Sequence, residues 1–291
     1  MIGVIGGSGL YQMEDVTDAR WEKISSPFGA PSDALLTGRL AGQDVVFLPR
    51  HGRGHRIPPT DINVRANIDA LKRIGCTQIL SLTAVGSLRE ELPPGTLVVA
   101  DQFIDRTFAR AKSFFGPGFV THVSMAEPVC GRVGGVVTEA AQALSIPVTR
   151  GGTYLVMEGP QFSTRAESEL YRSWGCSVIG MTAMPEAKLA REAEMCFCTI
   201  AMVTDYDCWH TGHGAVTAHE VAAVMTRNVS HAQNLLRKVI PRLSTWTGTC
   251  DRGCHTALEG AVMTAPEAYD PGLVSKLSAI CARFFSKGNR P

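Results

Sequence analysis

The stretch CFCTIAMVTDYDCW, residues 196–209, decides how the rest of this sequence is interpreted. Its run from Phe197 to Val203 is apolar and partly β-branched, which favours a strand that is covered on both faces. The run ends on two acids, Asp205 and Asp207. Because ligands bind at the carboxyl ends of strands in open α/β sheets, this position predicts a ligand site.

Other segments extend the same architecture. Short apolar runs punctuated by glycine predict further strands at 2–6, 45–49, 78–82, 96–100, 153–157 and 177–181. Apolar residues at helical spacing predict a helix at 62–75. Pro185 and Glu186, both favoured at a helix N-terminus, predict a second at 184–194, and 218–240 is the longest helical candidate. The alternation predicts an α/β fold, a single domain with a central mixed or mostly parallel β-sheet flanked by helices. We expect residues 1–245 to form this domain and residues 246–291 to form a loop and an appended C-terminal helical tail packed on it.

The composition excludes several classes of protein. The chain has 291 residues, 45% of them hydrophobic, which is enough to bury a large core. Its 28 basic and 27 acidic residues give a net charge of +1 with no long basic run, so nucleic acid is not an expected partner. The N-terminus lacks the features of a secretory signal, and no stretch approaches the roughly 20 apolar residues that span a bilayer. We expect a cytoplasmic protein with no membrane partner.

The nine cysteines lie mostly in apolar runs and are expected to be small core residues. Cys196 and Cys198 would share one strand face, and core packing is the expectation for both. Cys250 and Cys254, followed by His255, are the exception. A structural zinc ion needs four ligands and only three candidates occur here, so a disulfide or plain loop thiols are favoured and no metal site is predicted.

A glycine loop, VIGGSGL at 4–10, follows the first predicted strand. Its glycines allow backbone N–H groups to turn inward, and Ser8 adds a hydroxyl, which together would form an anion cradle. Glycine turns after a first strand are common, so this motif alone does not establish a phosphate site. A dinucleotide fingerprint would need a third glycine opening the helix, whereas position 12 is Gln.

Two further strand ends carry anion-binding groups. Arg50 and His51 follow a strand that ends at a proline, and the arginine fork suits phosphate oxygens, although a solvated turn would have the same composition. Thr83 and the backbone N–H of Ala84 follow another apolar strand and add neutral donors. Three such strand ends predict an oxyanion site, and without a Walker lysine they do not imply a nucleoside triphosphate.

Eight motifs together give the chain a resemblance to a known family. They are GGSGL, PFGAPSDAL, RHGR, TAVGSLRE, DQFIDRT, EGPQFSTRAE, MTAMPE and TDYDCW. From about residue 2 to about residue 240, the sequence resembles the trimeric purine nucleoside phosphorylases, and within them the methylthioadenosine phosphorylases. The resemblance implies the nucleoside phosphorylase type of fold and a homotrimer or dimer of trimers. The segment 101–110 and His122 would then reach across a subunit boundary.

The resemblance also implies a reaction, in which inorganic phosphate attacks the anomeric carbon of 5'-methylthioadenosine and releases adenine and 5-methylthioribose 1-phosphate. The phosphate would be bound by Ser8, Arg50, His51, Thr83, the Ala84 amide and Thr182. The transition state resembles a ribosyl cation, and adenine leaves well when a hydrogen bond or proton is supplied at N7. Asp205 would supply it as a protonated acid and accept a hydrogen bond from the 6-amino group. Asp207 would orient Asp205, share its proton, or pair outside the base pocket.

Substrate choice depends on Ser163 and Asp205. In relatives that act on 6-oxopurines, these positions usually carry Glu and Asn, so the chain resembles the adenine-type enzymes. A site built to bind an amino group should reject the oxo analogue, because buried polar groups would be left unpaired. Phe162 is expected to stack on the purine or flank it. Gly180 departs from the family pattern, since adenine-type relatives often have Asn there.

Around the sugar, the resemblance places Met181 under the ribose face. The 5' group would lie against His55, Ala218 and Val221, closed by His122 of a neighbouring subunit. Ala218 and Ala222 are smaller than the residues expected in relatives, which suggests a roomier 5' pocket.

The nearest alternative is the same chemistry on adenosine, methylthioinosine or inosine. From other classes we consider an NAD-dependent Rossmann oxidoreductase and a non-catalytic nucleoside-binding protein. Three strand ends with oxyanion donors suit a reacting phosphate better than either. No cofactor is expected, since inorganic phosphate is a co-substrate.

Overall fold

The computed structural model describes residues 1–7, 9–210, 218–246, 248 and 250–288, except for the side chains of 218–223. Three of the predicted site residues, Ser8 and the side chains of Ala218 and Val221, lie outside the described residues. The described chain forms an α/β fold around one mixed sheet of eleven strands. This confirms the predicted fold class.

The strands, in chain order, are β1 (Ile2–Gly6), β2 (Thr17–Glu22), β3 (Leu35–Leu40), β4 (Gln43–Pro49), β5 (Gln78–Ser87), β6 (Leu97–Val99), β7 (Gln102–Asp105), β8 (Val148–Arg150), β9 (Thr153–Val156), β10 (Val178–Gly180) and β11 (Cys196–Asp205). Each of the seven predicted runs contains a strand. The predictions missed β2, β3, β7 and β8. In β2 every residue but the last is exposed, so that strand carries no apolar pattern.

The helices are α1 (Val64–Arg73), α2 (Gly131–Ala143), α3 (Arg165–Ser173), α4 (Ala183–Glu192), α5 (Ala218–Ser244), α6 (Pro271–Lys276) and α7 (Ala282–Ser286). The three predicted helices correspond to α1, α4 and α5. Helix α1 begins after Asn63, whose side chain accepts a hydrogen bond from the Ala66 backbone N–H, as an N-cap should. Among the described helices, none is long and apolar enough to cross a membrane.

Four parallel strands, β4, β1, β5 and β11, form the centre of the sheet. Gly6 at the end of β1 is paired with Pro49 at the end of β4, and Ile5 is paired with Ser81 of β5. The carboxyl ends of these strands therefore meet at one edge, as ligand-binding α/β sheets require.

Strand β5 is longer than predicted. The prediction ended the strand at Leu82 and placed Thr83 and Ala84 in a following loop, but the strand continues to Ser87. Strand β1 pairs with β5 only as far as Ser81, whereas β11 pairs with it to Gly86. On the β1 side of β5, pairing resumes only at Gly86, where β10 begins to pair with it. No strand of the described chain covers that side between Ser81 and Gly86, and Thr83 and Ala84 lie in this gap.

Apolar clusters cover both faces of the sheet. Residues 196–204 of β11 are all buried, which confirms that this strand is covered on both sides. Phe197, Ala201 and Val203 belong to one cluster, together with residues of α1 and α4. Cys198 and Ile200 belong to the second, with residues of α2 and α5. This alternation is the two-residue period of a strand with a core on each side.

The C-terminal segment packs on the rest of the chain. Leu258, Leu277, Ile280 and Phe285 are buried in the same cluster as residues of α1 and α4. The segment also pairs with the chain near residue 121 through a bridge between Thr121 and Val262. The division into a domain of residues 1–245 and a tail of residues 246–291 stays a prediction.

Candidate active site

A cavity of about 310 Å³ opens where the parallel strands end. Its wall contains ten of the residues that were predicted from the sequence. They are Arg50, His51, His55, Thr83, Ala84, Phe162, Met181, Thr182, Asp205 and Asp207. Gly7 of the glycine loop also lines it. Strand-end groups that are far apart in the sequence thus share one site.

Two predicted residues do not line the cavity. Ser163 is not a lining residue, although its hydroxyl is 3.5 Å from the sulfur of Met157, which is one. The backbone N–H of His122 donates to the carbonyl of Ala261 in the C-terminal segment. The role of His122 in a neighbouring subunit stays a prediction.

Arg50 is held by Glu186, the fourth residue of α4. Its Nε lies 2.6 Å from Oε1 of Glu186, and its Nη2 lies 3.2 Å from Oε2, which makes a bidentate pair. Nη1 donates to the carbonyl of Leu82 and Nη2 to the Ser81 hydroxyl, both at 2.8 Å. Arg50 is only 2% exposed. These bonds use most of the five guanidinium N–H groups, so Arg50 meets the cavity in a fixed orientation.

His51 is a neutral imidazole with one defined role for each ring nitrogen. Nδ1 lies 2.8 Å from the carbonyl oxygen of Ile57 and must therefore be the protonated nitrogen. Burial lowers the pKa of His51 to about 4. Its ring stacks on that of His55 with a centroid distance of 4.2 Å. Nε2 is then an acceptor, which suits the protonated oxygen of a phosphate or a hydroxyl group.

Tyr154 is a site residue that the sequence reasoning missed. Its Oη lies 2.9 Å from the hydroxyl oxygen of Thr83, and it also interacts with the side chain of Thr182. Burial raises its pKa, so the phenol keeps its proton. The signal that could have found it was a tyrosine inside a buried strand, since a buried phenol needs a hydrogen-bond partner.

The same tyrosine explains Gly180. A β-carbon built on residue 180 would lie 2.1 Å from Oη of Tyr154. Only glycine leaves room for this hydroxyl, so an Asn at this position would require Tyr154 to move. The departure from the family pattern is therefore a consequence of packing.

The two acids differ in their surroundings. Asp205, the last residue of β11, accepts hydrogen bonds from the Thr204 hydroxyl at 2.7 Å and from the Asp207 backbone N–H at 2.9 Å. Asp207 is 6% exposed, and its Oδ2 has no hydrogen-bond partner among the described residues. Burial raises the pKa of Asp207. The surroundings of Asp207 therefore favour its protonated form.

The turn that carries Met181 and Thr182 is held by Arg110, another residue that was not singled out. The Arg110 Nη1 donates to the carbonyl oxygens of Met181 at 2.5 Å and of Met184 at 2.8 Å. Its Nε is paired with Glu158 at 2.9 Å. Arg110 thus fixes the backbone around two lining residues from within its own chain.

Comparison with known proteins identifies the class. The sequence pattern of the phosphorylase superfamily matches residues 1–241, and the chain belongs to this superfamily. It is 58% identical to the S-methyl-5'-thioadenosine phosphorylase of Cereibacter sphaeroides over 97% of this chain and 98% of that protein. It is 57% identical to the enzyme of the same name from Rhodospirillum rubrum, over 97% and 96%.

Solved structures give the same result. A methylthioadenosine phosphorylase from an Antarctic soil metagenomic library has a TM-score of 0.91 and 45% identity, covering 96% of this chain and 98% of the other. The methylthioadenosine phosphorylase of Schistosoma mansoni, in complex with adenine, has a TM-score of 0.85 and 35% identity, covering 89% and 98%.

Proposed function

We propose that this protein catalyses the phosphorolysis of 5'-methylthioadenosine to adenine and 5-methylthio-α-D-ribose 1-phosphate. It is then a pentosyltransferase of methionine and purine salvage. The observation that carries the proposal is one cavity lined by anion-binding groups and by two neighbouring carboxyl groups. The likeness to S-methyl-5'-thioadenosine phosphorylases over nearly the whole chain supports it.

Strand β5 sets the spacing of the two ends of the site. Thr83 lies on this strand, and Gly86 is the residue paired with Asp205. Three residues of extended chain span roughly 10 Å, which is enough for a ribose between a phosphate and a purine. A β-carbon on residue 86 would lie 3.0 Å from Oδ1 of Asp205, so the glycine lets the acid lie close against the strand.

At one end, we assign the binding of phosphate to Arg50, His51, Thr83, the Ala84 amide and Thr182, with Ser8 as a sixth member. Arg50 supplies positive charge and neutral His51 accepts from a protonated phosphate oxygen. Tyr154 holds the two threonines. Such donors, fixed before the reaction, stabilise charge without reorganising during it.

At the other end, we assign recognition of adenine to Asp205 and Asp207. As positive charge develops on the ribose, negative charge develops on the departing base, and a carboxylic acid that donates to N7 stabilises it. Asp205 is the donor in this proposal, with its second oxygen accepting from the 6-amino group. Buried Asp207 shares the proton or orients Asp205 through its backbone N–H, which lies 2.9 Å from Oδ1.

The remaining wall is apolar and suits the sugar and its 5' substituent. Phe162 lines the cavity while 52% exposed, so its ring is accessible to flank the base. Met157, Met181, Met202 and Met225 also line it. Methionine side chains are flexible and polarizable, and they favour a methylthio group over a hydroxyl. We assign the 5' end to His55, Ala218 and Val221, closed by His122 of a neighbouring subunit.

The proposed function is tested by measuring base release with and without inorganic phosphate. Adenine and a methylthioribose phosphate should form from 5'-methylthioadenosine only when phosphate is present. Adenosine, methylthioinosine and inosine serve as comparison substrates. Equal rates on amino and oxo nucleosides would refute the assignment of base recognition to the two acids. Release without phosphate would refute phosphorolysis itself.

We further propose a homotrimer or a dimer of trimers in the cytoplasm. Phe108, in the segment 101–110, is 83% exposed, and an exposed aromatic residue of this kind is typical of a subunit interface. None of the nine cysteines is in a disulfide, as is usual in proteins of reducing compartments. Sedimentation at micromolar protein measures the oligomer, and a monomer would contradict the proposal.

A further inference from the structure

Four buried cysteines meet far from the cavity. The sulfur atoms of Cys130, Cys196, Cys250 and Cys254 all lie within 4.8 Å of one another. All four residues are buried. They come from three separate parts of the chain, since Cys130 precedes α2, Cys196 begins β11, and the other two belong to the C-terminal segment.

The spacing of these sulfurs fits a single metal ion. A tetrahedral zinc ion with Zn–S distances of about 2.3 Å separates its four sulfurs by roughly 3.8 Å. The sulfurs of Cys130 and Cys250 are 3.5 Å apart, and the largest separation in the group is within 4.8 Å. A cluster of several iron ions holds sulfide between its metals and would spread the four cysteines further apart.

Groups that can stabilise negative charge surround the four sulfurs. Four thiolates around one divalent ion carry a net charge of −2, so a buried site needs such partners. Nη1 of Arg191, itself buried, lies 3.5 Å from the sulfur of Cys254. Nε2 of His255 lies 3.5 Å from the sulfur of Cys196. Cys130 is the N-cap residue of α2, where the helix dipole favours an anion.

We propose that Cys130, Cys196, Cys250 and Cys254 bind one structural zinc ion through their four sulfurs. Each thiol gives up its proton to solvent as it binds, and no electron is transferred. All four coordination positions are occupied by protein, which is the arrangement of structural and not catalytic zinc.

The position of the site indicates its role. Cys196 begins β11 and Asp205 ends it, so roughly 30 Å of extended strand separates the metal site from the acid. The zinc ion would join the start of α2 and the start of β11 to the C-terminal segment. That segment contacts the chain beside His122, because the His122 N–H donates to the Ala261 carbonyl. The ion therefore stabilises the fold and this loop, and takes no part in the reaction.

The sequence reasoning rejected a metal because only Cys250, Cys254 and His255 are close together in the chain. The structure instead brings in Cys130 and Cys196, which lie more than 50 residues away along the sequence. His255 faces the sulfur of Cys196 and is not needed as a ligand.

The test begins with the metal content of untagged protein purified without chelators, measured by inductively coupled plasma mass spectrometry. About one zinc ion per chain is expected. Cys254→Ser should lose the zinc, whereas Cys281→Ser, which changes a buried cysteine of the same segment outside the cluster, should retain it. Zinc content of Cys254→Ser equal to that of the unchanged protein would overturn the proposal.

A second measurement does not depend on a variant that folds. Titration of the unchanged protein with a mercurial thiol reagent should release zinc to a colorimetric indicator in step with the loss of four thiols. Replacement of zinc by Co²⁺ should produce the sulfur-to-cobalt charge-transfer absorption and the intense visible bands of tetrahedral coordination. Protein that takes up neither metal would overturn the proposal.

Counting thiols distinguishes a zinc site from two disulfides among the same four cysteines. The chain has nine cysteines, so two disulfides within the cluster would leave five reactive thiols in unreduced, denatured protein. A count of five without metal would replace the zinc site by disulfides. A count of nine after removal of zinc supports the metal site.

Loss of zinc should lower Tm by several degrees while kcat of the folded enzyme stays within about twofold.

Discussion

The hydroxyl oxygen of Tyr154 lies so close to Gly180 that a β-carbon on residue 180 would be only 2.1 Å from it. This contact joins β9 to β10, and the same hydroxyl reaches the oxygen of Thr83 at 2.9 Å. A glycine on one strand thus allows a tyrosine on the next to position a threonine on a third. In the proposed site, Tyr154 would therefore support phosphate binding by positioning Thr83.

Gly180→Ala should disrupt this chain of contacts. The added methyl group must displace Tyr154, and overpacking of this kind costs about 1–3 kcal/mol. We expect a lower Tm and a KM for phosphate raised at least about tenfold, because Thr83 and Thr182 lose their common partner. Gly116→Ala is the control, since a β-carbon there has no neighbour within 4 Å. Normal phosphate affinity in Gly180→Ala would show that Tyr154 does not position the site.

Asp205→Asn should change the preference for the base. An amide cannot supply an acidic proton, so we expect kcat/KM for 5'-methylthioadenosine to fall about 100- to 10,000-fold. Activity on methylthioinosine should fall much less or rise, because the amide can donate to O6. Asp44→Asn, at an exposed acid, serves as the control. An unchanged ratio between the two substrates would exclude Asp205 from base recognition.

Glu186→Gln should weaken both folding and phosphate binding. Glu186 and Arg50 form a buried pair, and removing one charge from such a pair costs about 3–5 kcal/mol, with a neutral amide at the lower end. Glu139→Gln breaks an exposed Glu–Arg pair and should leave stability nearly unchanged. Urea unfolding and the KM for phosphate are the measurements. Equal effects of the two changes would argue against a special role for the buried pair.

The lowered pKa of buried His51 predicts that the free energy of unfolding depends on pH. Its pKa is about 4 in the folded protein, whereas an unfolded histidine has a pKa of about 6.5. Above pH 6.5 both states are neutral, so His51 contributes nothing to the pH dependence there. As the pH falls from about 6.5 to about 4, the unfolded state binds the proton first, and stability falls by about 3 kcal/mol.

The measurement compares the free energy of unfolding of the unchanged protein and of His51→Gln between pH 4 and 8. The difference between the two curves isolates His51 from other titrating groups. It should change between about pH 6.5 and pH 4 and be constant above that range. Parallel curves throughout would show that His51 is not buried as a neutral imidazole.

Much of the site was predictable because its elements are local. The run ending at Asp205 has the apolar composition of a strand covered on both faces, and the structure confirms this burial. Arg50 and His51 directly follow another such strand. Since parallel strands of one sheet end at the same edge, a strand pattern is enough to predict that these groups meet.

The sequence by itself therefore determined which strands lie in the core and which side chains stand at their ends. Only the tertiary structure decided which partner each side chain has. Glu186 lies 136 residues from Arg50, and Cys250 lies 120 residues from Cys130. The physical reason is that periodicity records which face of an element is buried, whereas a contact between distant segments depends on how whole elements pack. A pattern within one segment carries no information about which distant segment it will contact.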